Sequence, residues 1–447
     1  MLASLQIQNF KSYEDATLYF TPLTFFVGAN ASGKSNALEA LRLLNWLAGG
    51  GMRLEDIEQA IKKDDSYIRG NIRDLFKDIA KPITFTCHLP QSEESNWNIL
   101  TLKIGYKKDR LFFEEEKISN DAGLSLYHTE NKHPSATFYG YPDLVSVSCN
   151  NLDSKKTRTS ILCSNQRPAF YQFESPSLFH NDDKNSQFII IAISRIFRMN
   201  LRNIFFLYPN TNTMRGYVTS GDHQIKEDDS NLSSVLSTIC KNSDVKRNLL
   251  EIIRSIPEQD IKGISFIKTD RNDVMLRIHE FFGKNNKKID VPLLSDGTLR
   301  VLCIGAMLLS ADKKSLIIIE EMDNGIHPSR VKSLLQKISE IALKRSLQIL
   351  ISTHNPALLD AVDDAELMKN VICCYRDSEQ GDSRITRLID IRRFSELMAQ
   401  DSLGQLVTNQ KLDFFLKDKR SEEEYMASAL AWLKELREAT KDGYLPH

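Results

Sequence analysis

The chain has 447 residues, with 58 Lys and Arg against 59 Asp and Glu, a formal net charge of -1, 41% hydrophobic residues and 26% charged ones. These values exclude a dominantly disordered chain and any collagen-like or low-complexity architecture. No apolar run reaches the roughly 18 residues of a membrane helix, and the N-terminus is polar by its sixth residue. Seven cysteines occur without a CxxC pair, which points to reduced thiols. The expectation is a soluble, cytoplasmic protein of two or three substructures. Its balanced charge disfavours a surface basic enough to cling to DNA everywhere, while leaving room for a local patch.

In chain order, Leu5, Ile7 and Phe10 lie around polar Gln6, Gln8 and Asn9, a strand pattern. Leu23 to Val27 (LTFFV) is a compact apolar run, followed by GANASGKS. Leu38, Leu41, Leu44 and Leu47 then recur at helical spacing until Gly49-Gly50-Gly51. Strand, glycine loop and helix is how a parallel α/β sheet begins. From about Lys81 to Gly140 the runs ITFTCHL, WNILTLKIGY, RLFFEEEKI and ATFYGY predict an antiparallel meander. Residues from about Pro142 to Pro257 are more polar and read as an insertion, with helices over 186–201 and 231–241. After two more strand runs from Gly263, LLSDGT leads into a helix. SLIIIEEMDNG and SLQILISTHNPALL each give strand, loop and helix.

The chemistry lies at the ends of the apolar runs. GANASGKS (28–35) satisfies G-x-x-x-x-G-K-[ST]. Gly28 and Gly33 let the backbone curl so that N–H groups face phosphate oxygens. Lys34 reaches the outer phosphates and Ser35 offers its hydroxyl to Mg²⁺. A flexible strand–helix turn is the plain alternative. Glu320 and Glu321 end an apolar strand where open α/β sheets place ligands. Glu320 suits the Mg²⁺ ion and Glu321 suits a general base that polarises water. In isolation such a pair is usually a solvated strand end. Ser295, Asp296 and Gly297 read as a helix cap. His354 follows another apolar strand, and a lone histidine there is more often structural. The run Glu114-Glu115-Glu116-Lys117 reads as a solvated hairpin.

Phosphate loop, insertion, Ser-Asp-Gly helix start, double acid and strand-end histidine occur in the order of the ABC-type ATPases. NFKSY, GANASGKSN, LSDGT, EEMDNGIHPS and STHNPALL resemble the blocks of the SMC, RecF and OLD (overcoming lysogenization defect) group. The resemblance covers 1–50 and 290–400 well and the middle loosely. YPNTNTMRGY (208–217), with Arg215 and Tyr217 at its matching positions, resembles a block of short OLD-like ATPases, as do CCYRDSEQGDSRITRL and DSLGQLVT.

This resemblance implies an α/β ABC-ATPase head, a parallel-sheet P-loop core plus an antiparallel β subdomain, with a mixed and partly helical insertion. The head would comprise residues 1–141 (Walker A and β meander) and 263–400 (signature, Walker B and His switch). The insertion would span 142–262 and a helical tail 401–447. ATP and Mg²⁺ are the implied cofactors. Gly28, Asn30, Ser32, Gly33, Lys34, Ser35 and Asn36 would hold the nucleotide, and Ser35 and Glu320 the metal. Glu321, His354 and Lys34 would be catalytic, with His354 sensing the γ-phosphate. Ser295 and Gly297 would contact ATP bound to another subunit, and Asp323 and Asn324 would lie in the loop coupling two sites. Lys11 would lie near the nucleotide. Two departures, Asp296 in place of the second signature residue and Glu320 in place of an aspartate, suit the OLD-like branch.

No spaced set of acids for two nuclease metals follows His354, no long heptad run exists, and Asn131-Lys132-His133-Pro134 lacks the aspartate of a GTPase box. The resemblance therefore implies an ATPase subunit of the kind found in PARIS, Septu or retron-associated anti-phage systems. It would form at least an ATP-dependent homodimer and control a Toprim or HNH nuclease encoded nearby, with DNA or a phage protein as trigger and no membrane. The helical pattern of 421–441 suits docking to an effector as well as packing on its own core. Two alternatives stand: a RecF-like DNA-binding protein, and a scaffold that hydrolyses ATP too slowly to matter. For the first, the candidate basic clusters are Lys155-Lys156-Thr157-Arg158, Lys284 with Lys287-Lys288, and Lys107-Lys108 with Arg110.

Overall fold

The computed structural model describes residues 1–49, 53–63, 68–91, 96–130, 143–150, 159–175, 179, 184–254, 261–282, 285–323, 326–362, 364–418, 420, 424, 427, 430 and 431. The run ATFYGY, residues 131–134, the cluster 155–158, Lys284, Asn324 and nearly all of 421–441 lie outside them.

Three sheets organise these residues. The central one has the strand order Ile204–Leu207, Leu316–Glu320, Gln348–Thr353, Leu23–Val27, Val371–Arg376 and Ser383–Arg387. The first five are parallel and the last is antiparallel. All five residues of Leu23–Val27 and all six of Gln348–Thr353 are buried, as expected for strands covered on both faces. Alternate residues serve opposite layers. Phe26, Ile318 and Leu350 pack with the helix Lys34–Ala48, while Phe25, Ile317 and Ile349 pack with the helices Asp296–Ser310 and Pro328–Arg345. The fold class is the expected one: a parallel P-loop core with an antiparallel β subdomain.

The second sheet is an eight-stranded antiparallel one, in the order Tyr13–Tyr19, Ser4–Phe10, Ile83–His88, Ile99–Lys107, Arg110–Ser119, Ser125–Glu130, Leu144–Cys149 and Thr159–Ser164. Its last two strands place the expected division at 141/142 inside one sheet. Farther on, Ile204–Leu207 is the edge strand of the central sheet. The long helix Lys184–Arg202 lies on the P-loop helix, where Asn45 Nδ2 donates to the carbonyls of Leu201 (2.9 Å) and Ile204 (3.1 Å). The stretch read as an insertion thus begins as part of the core. Its strands were hard to see because they are half-exposed and polar, as in LVSVSC. The third sheet pairs Asp273–Phe282 with Ile261–Lys268, Val218–Thr219 and Asn285–Asp290.

One acid of the expected solvated hairpin is buried. A bulge at the Lys103/Ile104 register lets Phe113 and Glu116 both point inward, and Glu116 is 1% exposed. It accepts hydrogen bonds from Tyr127 Oη (2.7 Å) and the N–H groups of Ala169 (2.5 Å) and Phe170 (2.7 Å). Burial nonetheless pushes its carboxyl from 4.5 up to about 7, against the pull of those donors. The folded chain therefore binds this proton more tightly than the unfolded one. Stability should fall as pH rises from about 4.5 to about 7, by roughly 3 kcal/mol from this group. Urea unfolding across that range should show the fall in the wild-type chain and a flatter profile in Glu116→Gln. Equal slopes would contradict the assignment.

Candidate nucleotide-binding site

The turn after Leu23–Val27 is held by close backbone contacts. A Cβ on Gly28 would lie 2.3 Å from the Cys374 carbonyl oxygen, and one on Gly33 would lie 2.2 Å from Ser383 Oγ. Gly33 has φ 118° and Ala31 has φ 61°, so the loop takes two left-handed turns before the helix Lys34–Ala48. Its carbonyls are tied back to the protein. Arg376 Nε donates to Ala31 (3.1 Å), Ser383 Oγ to Ser32 (2.6 Å) and Tyr13 Oη to Gly33 (3.0 Å). A tightly curled glycine loop ahead of a helix N-terminus is the backbone form that a phosphate cradle requires.

The cleft beside this loop has a volume of about 400 Å³. Asn30, Ser32, Gly33, Lys34, Ser35 and Asn36 line it, together with Glu320, Glu321 and His354. Strand register brings these together: Glu320 pairs with Ser352, and Thr353 pairs with Val27, so three strand ends finish side by side. Lys34 Nζ donates to the carbonyls of Gly28 and Ala29. Burial lowers the ammonium below its usual value, offset in part by Cys374 and Glu321. Glu320 meets Arg42 Nη2 at 3.3 Å, and Arg42 lies 4.3 Å over the Phe206 ring. Glu321 holds a left-handed φ of 50°, with its N–H on the Ser352 carbonyl at 3.2 Å.

Among the described residues, Ser32 Oγ is a buried hydroxyl without a hydrogen-bond partner. This orphan group, the half-buried Lys34 cation and the oxygen donors Ser35 and Glu320 suit a Mg²⁺–triphosphate. Ser295 and Gly297 do not line this cleft. Ser295 caps the helix Asp296–Ser310, accepting from the Thr298 N–H at 3.2 Å. Asp323 is 5% exposed and ties two loops together, accepting from Thr353 Oγ1 (3.4 Å) and Asn355 Nδ2.

Lys11 is not among the cleft residues. Its ammonium is engaged by the Glu39 carboxylate and the Arg69 carbonyl. Instead Arg69 itself lines the cleft, with Nε on Glu39 (2.5 Å) and Nη2 on Asn36 (3.4 Å). Arg376 is the other cation that sequence reasoning passed over. A signal existed for it: Arg376 ends an apolar strand, VICCYR, beside the P-loop strand. Arg69 stands in a polar loop and carried no such mark.

The family described as AAA ATPase domain matches residues 1–359. An "ATP/GTP phosphatase" of Helicobacter pylori is 22% identical over 382 residues, covering 81% of this chain and 88% of its own length. The DNA replication and repair protein RecF of Leptospira interrogans is 39% identical over 88 residues, 19% of this chain. That match spans about a quarter (24%) of the RecF chain. An SMC head bound to the C-winged helix domain of ScpA has a TM-score of 0.46 at 16% identity, over 86% of this chain and 96% of its own.

Gly28→Ala should lower the melting temperature and weaken ATP binding more than about ten-fold, since its Cβ must displace the Cys374 carbonyl of the neighbouring buried strand. Titration with a fluorescent ATP analogue measures this. Unchanged affinity would remove Gly28 from the cradle.

Proposed function

The chain belongs to the AAA ATPase domain family, and from that premise we propose that it is a Mg²⁺-dependent ATPase of the SMC/RecF type that works as an ATP-sandwiched homodimer and controls a separate effector. The observation that carries the reading is the convergence of P-loop, double acid and His354 on one cleft. The loop N–H groups and Lys34 bind the β- and γ-phosphates. Ser35 and Glu320 would hold Mg²⁺, which when bound would supply positive charge against the phosphate oxygens. Glu321 accepts a proton from a water molecule. The water oxygen bonds to the γ-phosphorus as the bond to the β-bridging oxygen breaks, giving ADP and phosphate. His354 orients the γ-phosphate.

Dimerisation follows from the signature residues. Ser295 and Gly297 lie at the start of a 15-residue helix outside their own chain's cleft. That N-terminus suits the triphosphate held by a second copy. The effector is proposed to be a Toprim or HNH nuclease in anti-phage defence, triggered by DNA or a phage protein, on the strength of the OLD-like sequence blocks. A second reading, ATP-dependent DNA binding in repair, is favoured by the 39% identity to RecF. One basic cluster offered for it is partly neutralised: Arg110 meets Glu55 at 2.8 Å and Asp143 at 3.7 Å.

Glu321→Gln should lower the hydrolysis rate about 100-fold or more and accumulate an ATP-bound dimer in size-exclusion chromatography with light scattering. An unchanged rate would show that Glu321 is not the base.

A further inference from the structure

The segment that leaves the edge strand Ile204–Leu207 touches both the candidate base and the signature loop of the same chain. Leu207 pairs with Ile319, so Tyr208 emerges beside Glu320. Its hydroxyl donates a long hydrogen bond, 3.5 Å, to Glu321 Oε2. Glu321's charge raises the phenol above its ordinary value, consistent with that proximity. The Glu321 backbone is already fixed in the left-handed region, so its carboxylate is the part left to move.

Seven residues on, Arg215 grips the loop that leads into the signature helix. Nη1 donates to the carbonyls of Pro292 (2.8 Å) and Leu294 (2.9 Å), and Nη2 to Asp296 Oδ1 (2.6 Å). Bonds from Thr211 and Arg215 together hold the Asp296 carboxyl below its usual range. Between these ends the segment is pinned to the core. The Asn210 N–H donates to Asp229 Oδ2 (3.0 Å) and Thr213 Oγ1 to the Asp228 carbonyl (2.6 Å). Asp229 is 1% exposed and meets Cys303 Sγ of the signature helix at 3.5 Å. A loop serving only to connect strands needs no fork of three bonds at one end and a contact with the base at the other.

We infer that residues 208–215 form a strap that couples Glu321 to the signature loop, with Tyr208 positioning the base and Arg215 positioning Ser295 and Asp296. This rests on the ATPase reading above. Displacement of Glu321 during hydrolysis is passed through the pinned segment to Asp296. The grip on the nucleotide of the neighbouring copy therefore changes with the state of the chain's own site. Tyr208 is 53% exposed, so removing its hydroxyl leaves the core untouched.

The test compares Tyr208→Phe, Arg215→Gln and the double variant in the full chain. Each single change should lower kcat about ten-fold while the Kd for ATP moves less than about two-fold. The double variant should be no slower than the slower single one, because both act through one strap. Arg215→Lys should recover only part of the loss, since it keeps the charge and not the fork. If the wild-type chain hydrolyses ATP and either single variant keeps its kcat, or the two effects multiply, the strap is overturned alone. A wild-type chain without hydrolysis overturns the ATPase reading and the strap with it.

Discussion

Parallel pairing of three buried strands sets the positions of the P-loop, the two acids and His354 in the cleft. Val27 lies opposite Thr353, and Ser352 lies opposite Glu320. The P-loop, the two acids and His354 therefore leave the sheet on one edge, within reach of one triphosphate. A slip of one residue in either pairing would exchange the side chains that face the two helical layers and separate these groups. The energetic cost of such a slip is carried by the apolar side chains beneath, which alternate between two helical layers. Core packing and site geometry are thus one constraint.

Within the cleft, electrostatics follow from burial. Lys34 is drawn out of water against the carbonyls of its own loop, and its ammonium is less favourable there than in solvent. On the proposed reading, an incoming triphosphate would supply the charge that the loop carbonyls match only as dipoles, so binding would relieve a penalty the fold has built in. Glu39 plays the reverse part nearby: its carboxylate takes both Lys11 and Arg69, and this pairing places the Arg69 guanidinium at the cleft edge. Arg376 acts from the far side, bracing the left-handed Ala31 from the neighbouring strand.

What could be read from the sequence follows the same physics. Contiguous motifs at the ends of apolar strands were legible, because GANASGKS, IIIEE and STH combine a burial signal with unusual residues at its end. The signature helix was legible as a capped helix for the same reason. The polar strands Ser125–Glu130, Leu144–Cys149 and Thr159–Ser164 were not, since serine, threonine and half-exposed positions blur their apolar alternation. Glu116 was misread as solvated because a bulge on its strand shifts the alternation by one residue. Lys11, expected near the nucleotide, is engaged by Glu39 of the P-loop helix, and the other partner of Glu39, Arg69, is the one that lines the cleft. The contact between Tyr208 and Glu321 joins residues 113 apart and has no local signature.

On the proposed reading, one chain's signature loop completes the other chain's nucleotide site. Complementation tests it most directly. A Lys34→Ala chain lacks a working P-loop and a Ser295→Arg chain lacks a working signature, so each alone should be inactive. Mixing them creates heterodimers in which one intact P-loop faces one intact signature loop. ATPase activity should therefore reappear on mixing. If the mixture stays as inactive as its parts while both variants still associate, the site is not shared between chains.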